Sequence, residues 1–229
     1  MKGQTKIKVH GKACYAGLIF CVCGALLLSC KVQINNSIHV DSGKNIKGSQ
    51  NSINGNIIVA DNCEVHGACR TVNGRIEIGE HSRVEKLQTV NGGITVGSSV
   101  RVYGNLESVN GPVRCQQGTM IKGDIKAVNG SVNLVHTKVK DDIITYNGNI
   151  TLEQKCMVEG DIVIKSSGHG SKHRGTLFIR IADQSVVEGD VRVEDDDIAV
   201  EVHLLAGGEV RGRIINAEVQ EENPRIETL

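Results

Sequence analysis

Val72-Asn73-Gly74-Arg75-Ile76-Glu77-Ile78, Val90-Asn91-Gly92-Gly93-Ile94-Thr95-Val96 and Val109-Asn110-Gly111-Pro112-Val113-Arg114-Cys115 are three copies of one phrase. Each reads apolar-Asn-Gly, a free position, then apolar residues at alternate places. The Asn-Gly pair recurs at Asn54-Gly55, Asn73-Gly74, Asn91-Gly92, Asn110-Gly111, Asn129-Gly130 and Asn147-Gly148, in steps of 19, 18, 19, 19 and 18. Asn35-Asn36 sits a further 19 upstream. A fixed period of this length marks a solenoid, in which each repeat buries its apolar side only by stacking on its neighbours.

Within a repeat the large apolar residues fall six apart, as in Val72, Ile78, Val84, Val90, Val96 and Val102. Alternation adds inward residues at Ile76 and Ile94. Three sets of six make a triangular coil of 18, and the occasional nineteenth residue fits a loosened corner. Alternation, β-branched richness and frequent glycine exclude helices. The expected fold is all-β: a single-stranded parallel β-helix with triangular coils of 18–19 residues. Three inward columns follow: Ile57, Ile76, Ile94, Val113, Val132, Ile150; Val59, Ile78, Val96, Cys115, Leu134, Leu152; and Val65, Val84, Val102, Ile121, Val139, Val158. About nine coils stacked at about 4.8 Å give a rod of roughly 40–45 Å.

Composition agrees with a thin core of stacked Val, Ile and Leu. Aromatics are 2% with no Trp, and Gly is 27 against Pro 2, which fits neither collagen nor a disordered chain. The 26 basic and 26 acidic residues cancel. Four lysines and no acids lie ahead of Cys30, so the chain from Cys30 onward carries 22 basic against 26 acidic residues. No nucleic-acid partner is expected of such a surface.

The residues ahead of Cys30 read as an address. Lys2, Lys6, Lys8 and Lys12 precede the apolar run Ala13 to Leu28. The run falls short of the about 20 residues that a membrane span needs and is typical of a signal sequence. It ends Leu27-Leu28-Ser29-Cys30, which resembles the lipobox of bacterial lipoproteins. The resemblance implies cleavage before Cys30, diacylation of its sulfur and acylation of the new N-terminus. Several chains anchor firmly, at about 0.8 kcal/mol per buried methylene. Lys31 after the Cys would go with outer-membrane sorting. The alternative is an uncleaved anchor with a coincidental Cys.

The expected divisions are a signal peptide (1–29), a lipid site and irregular first coil (30–51), regular coils (52–164), a loop excursion (165–175), C-terminal coils (176–218) and a tail (219–229). Ile34, Ile38, Val40 and Ile46 of the first coil match Ile53, Ile57, Val59 and Val65. Terminal repeats are usually atypical because they cap the stack. The pieces Ile121 to Ile125, Val158 to Ile162 and Val187 to Val191, each apolar-x-Gly-Asp-apolar, together with the six-residue spacing, resemble bactofilins, the bacterial polymer-forming β-helix proteins, and related β-solenoids described as adhesins. The resemblance covers about Ile34 to Ile214 and implies a right-handed helix. Bactofilins are usually cytosolic or lack a lipobox, whereas this chain carries one.

Several polar features invite chemistry. The Asn column reads either as an amide face templating a glycan or ice, or as a structural corner. In the second reading Asn-Gly takes the left-handed conformation and the amides hydrogen-bond along the stack. Asp124, Asp142, Asp161 and Asp190 share one corner; they read as a cation site or as turns whose carboxylates accept backbone N–H groups. Asp195-Asp196-Asp197 reads as a solvated corner. His169 and His173 lie in the excursion and lack a third metal ligand. Cys63, Cys69, Cys115 and Cys156 fall on inward columns, where free buried thiols are expected; only a Cys63–Cys69 disulfide is conceivable, and those two sit on different sides of one coil. No Gly-x-Ser-x-Gly, His-Glu-x-x-His or phosphate loop occurs, so no enzyme, metal or cofactor is expected. The expected role is a non-catalytic, lipid-anchored scaffold of the bacterial cell envelope, held to a membrane through Cys30 and able to self-associate end to end. A monomeric adhesin-like module is the alternative, with its protein or glycan ligand left open.

Overall fold

The structure is a computed structural model that describes residues 32–166 and 175–221. Among the described residues the chain forms 27 strands of two to eight residues and no helix. All pairings are parallel, and each strand between the two ends of the stack bonds to its counterpart one coil earlier and one coil later: Ile57 lies beside Ile76, and Ile76 beside Ile94. This is a β-solenoid.

Each coil has three sides. The first face is one sheet of ten strands, from Ile38–Val40 to Glu218–Glu221. The second and third faces share a 17-stranded sheet. They merge because Glu64–Thr71 and Arg83–Thr89 run unbroken around the corner between them, with a register shift between Val65 and Ala68. From Arg101 onward the corner is sharp: Arg101–Val102 stops, and Leu106–Ser108 starts the third face.

The three inward columns stand as expected. Ile57, Ile76, Ile94, Val113, Val132 and Ile150 pair in sequence and are fully buried. Hydrogen bonds run along the rod, and Val, Ile and Leu from all three faces fill its centre. The ten strands of the first face exceed the nine coils expected. The additional strand, Glu218–Glu221, begins just ahead of the expected tail and pairs with Val200–Leu204. All four of its residues are exposed, so it carries no apolar pattern.

One column differs from the reading. The six-residue spacing places Val72 and Val90 inward; instead Val90, Val109 and Val128, with Val72 and Tyr146 against them, form a cluster separate from the main core. The inward residues at this corner are the preceding Ser52, Thr71, Thr89 and Ser108, all fully buried. Ile34, two coils before Val72 in the same column, is likewise outside the core and 61% exposed.

The excursion interrupts the stack without breaking it. Ile150 pairs directly with Ile179, so the coil between them is lengthened by the excursion and the ladder continues beyond it. Residues 167–174, which include His169 and His173, lie outside the described residues, as do residues 1–31 with Leu27, Leu28, Ser29 and Cys30, and residues 222–229.

Candidate interaction surfaces

Three corners join the faces, and each is built on a different device. The corner from third to first face carries the Asn-Gly pairs. Asn54 donates its side-chain N–H to the Oδ1 of Asn35 at 2.7 Å, and the pattern repeats at 2.7–2.9 Å through Asn73, Asn91, Asn110, Asn129 and Asn147. An amide both donates and accepts, so it can form such a continuous chain. The left-handed expectation is corrected here. Of the seven asparagines only Asn35 has a positive φ, 61°. Glycine is needed for close approach instead: a Cβ on Gly92 would lie 2.0 Å from the carbonyl oxygen of Gly74.

The same corner explains the buried hydroxyls. Thr71 and Thr89 donate at 2.8 Å to the carbonyls of Gly55 and Gly74, and Ser108 donates to those of Gly92 and Gly111. The hydroxyls satisfy carbonyls that the crowded glycine stack would otherwise leave unbonded. Ala127 interrupts this column, and the buried hydroxyl of Thr145 has no partner among the described residues. Ala127→Ser should therefore raise stability by about 0.5–1.5 kcal/mol. The urea midpoint, compared with that of Ala127→Val, checks this; no gain over valine would refute it.

The corner from first to second face holds the left-handed residues, at Gly43, Asn62, His81, Ser99, Gly118 and His136. The turn directs an N–H forward onto the next coil, as from Asn62 to the carbonyl of Glu80 at 2.8 Å. Beside it runs a column of small polar residues that includes two cysteines. The thiol of Cys63 donates to the carbonyl of Asp41 at 3.1 Å, as Ser82 Oγ does to that of Ala60 at 3.2 Å. Cys156 donates to the carbonyl of Glu153 at 3.1 Å, and its own N–H donates to Ser185 Oγ. These thiols take the place of hydroxyls. Cys69 and Cys115 are apolar filling; burial pushes Cys69 up to about 12, and Cys115 also upward. All four are free and buried.

The corner from second to third face carries the acids. Asp124 Oδ1 accepts the N–H of Asp142, and Asp142, Asp161 and Asp190 each accept the N–H of their counterpart one coil later. The bonds thus run between coils and not within a local turn. The second oxygens of Asp124, Asp161 and Asp190 meet Lys126, Arg192 and Arg213. Hydrogen bonds and charge from Arg213 hold the Asp190 carboxyl below the usual range. These carboxylates are engaged by the protein itself, which leaves little coordination for a cation.

On the outward row of the third face Arg70 donates to Gln88 at 2.7 Å, and Gln88 donates to Glu107 at 2.6 Å. Lys86 closes the chain at 2.8 Å. Burial alone would raise the Glu107 carboxyl, but hydrogen bonds from Lys86 and Gln88 and the Lys86 charge outweigh it and hold it low. The folded carboxyl therefore titrates below the unfolded value of about 4.3. Its contribution is complete above that value and is lost as pH falls through the folded one. Glu107→Gln should flatten the stability loss between about pH 5 and about pH 3; thermal unfolding across that range reads it, and an unchanged acid limb would refute it.

Comparison with family models, with characterised proteins and with solved structures returned no match.

Proposed function

We propose that this chain is a non-catalytic, lipid-anchored β-solenoid of the bacterial cell envelope with a structural, polymer-forming scaffold role. The observation that carries the reading is the open ladder. The first-face strands Ile38–Val40 and Glu218–Glu221 each bond on one edge only among the described residues. Unpaired parallel edges are templates for a further coil. The lipobox-like Leu27-Leu28-Ser29-Cys30 and the resemblance to bactofilins support the same role. Cys30 lies just ahead of the first strand, Val32–Gln33, so a lipid there would hold the N-terminal end of the rod against the membrane.

A second reading, a monomeric adhesin-like module that binds through a side face, is favoured by Glu221. It pairs with Leu204 at the foot of the inward column that begins at Val40. A carboxylate there opposes burial under another coil.

Sedimentation of residues 31–229 across protein concentration, with negative-stain microscopy of the same samples, separates the two. Regular filaments support the scaffold. A rod-shaped monomer at every concentration overturns it for this domain and directs attention to the side faces. Metabolic labelling of the full chain with a tagged fatty acid, lost in Cys30→Ala, tests the anchor.

A further inference from the structure

The second face holds a pair of exposed arginines beside a hollow. Arg83 and Arg101 lie directly opposite each other in adjacent coils, both exposed. Like charges so placed destabilise a sheet. Among the described residues neither makes an ion pair or a side-chain hydrogen bond. One coil further, Lys122 sits 4.5 Å above the ring of Tyr103, which is 45% exposed.

The fold creates the hollow. It lies where the continuous strands Glu64–Thr71 and Arg83–Thr89 give way to the short strand Arg101–Val102 and the corner after it. The cavity there is about 570 Å³, walled by Glu64, His66, Arg83, Glu85, Lys86 and Tyr103. A smaller hollow of about 250 Å³ meets it at Arg83 and reaches Ser99 and Arg101. Glu64 is engaged by Asn45 and His66, and Lys86 by Glu107. Three cations, Arg83, Arg101 and Lys122, then face two carboxylates, Glu85 and Glu64, the latter directly opposite Arg83.

We propose that this groove binds a short anionic stretch of a carboxylate-bearing glycan. Arg83 and Arg101 stand one coil apart, and Lys122 follows in the next coil on the neighbouring row beside Tyr103, so that one cation falls in each of three successive coils, as acid groups recur along such a chain. Guanidinium groups bind carboxylates in a paired fashion, and an exposed phenol ring offers a sugar an apolar face. The site is short because Met120 follows Arg101 in its row, and Lys138, one coil further, is paired with Glu159. That limit, with the acidic excess from Cys30 onward, disfavours a long polyanion such as nucleic acid. The site concerns a side face and does not depend on lipid anchoring or on filaments.

The test uses the full chain in detergent, titrated with hexagalacturonate, neutral maltohexaose and a single-stranded oligodeoxynucleotide. Hexagalacturonate is expected to bind, more weakly as salt rises, and maltohexaose not to bind. Arg83→Gln/Arg101→Gln should lower the affinity at least about ten-fold while leaving the urea midpoint unchanged or higher, since a repulsion is removed. Tyr103→Ala should weaken binding yet keep its salt dependence. Arg114→Gln, on the first face, should change nothing. Failure of hexagalacturonate to bind, equal binding of maltohexaose, tighter binding of the oligonucleotide, or full affinity in the double variant would each overturn the proposal, and none of them bears on the filament test.

Discussion

Gly92→Ala is expected to prevent the rod from folding as one piece. The added methyl would sit 2.0 Å from the Gly74 carbonyl oxygen and 2.5 Å from its carbon, well inside the 3.0 Å that real Cβ contacts keep. Both are backbone atoms in a stack fixed by hydrogen bonds on three faces. Relief requires the coils to separate, which breaks the amide link between Asn91 and Asn73 and the bond from Thr89 to the Gly74 carbonyl. The cost should exceed about 4 kcal/mol, the range reserved for gross disruption. Gly118→Ala is the control. Its φ is +76°, but the nearest atom, Ser99 Oγ, is 3.3 Å away. That substitution should cost about 1–2 kcal/mol, the penalty of a left-handed alanine. Urea unfolding followed by circular dichroism ranks the two. Equal losses would mean that close stacking of glycines is not what the Asn-Gly repeat provides.

Leu106→Ala is expected to follow in size. Leu106 is fully buried mid-rod, between Leu87 and Ile125. Truncating a buried leucine costs about 2–5 kcal/mol, and the value depends on how far the surroundings collapse. Here they can collapse little, because ladders on every face fix the spacing of the coils. The loss should lie in the upper half of that range. Ile214→Ala, in the half-buried last coil, should cost much less. A solenoid couples only nearest neighbours, so the Leu106 variant should also split the transition into two steps. A small, single-step loss would show that the core is softer than its geometry indicates.

The period, the three faces and the main columns were legible because apolar alternation and Asn-Gly recur in the letters themselves. The corners were less so. The left-handed corner repeats as regularly as Asn-Gly, but Gly43, Asn62, His81, Ser99, Gly118 and His136 share no side chain, and the constraint lies in the backbone alone. Thr71, Thr89 and Ser108 do not read as core because they are polar; their hydroxyls are inward to serve glycine carbonyls, and this displaces the neighbouring valines outward. A Ser/Thr regularly two places before Asn-Gly was the available signal. The groove at Arg83 and Tyr103 left no signal, since it depends on where a corner changes shape.

The direction of the hydrogen bonds has a mechanical consequence. Bonds such as Met120 N–H to the Val100 carbonyl and Lys138 N–H to the Thr119 carbonyl lie along the rod. Tension on its ends pulls straight against them, and the junctions between coils are in series, so each bears the whole load. Yielding begins at the weakest junction. The last turn is a candidate, since Val191–Val193 meets Ile214–Ile215 over only two residue pairs. Each coil that peels away releases about 60 Å of chain. Pulled from one end, the rod would lengthen in steps and dissipate work at each, acting as an extensible tether.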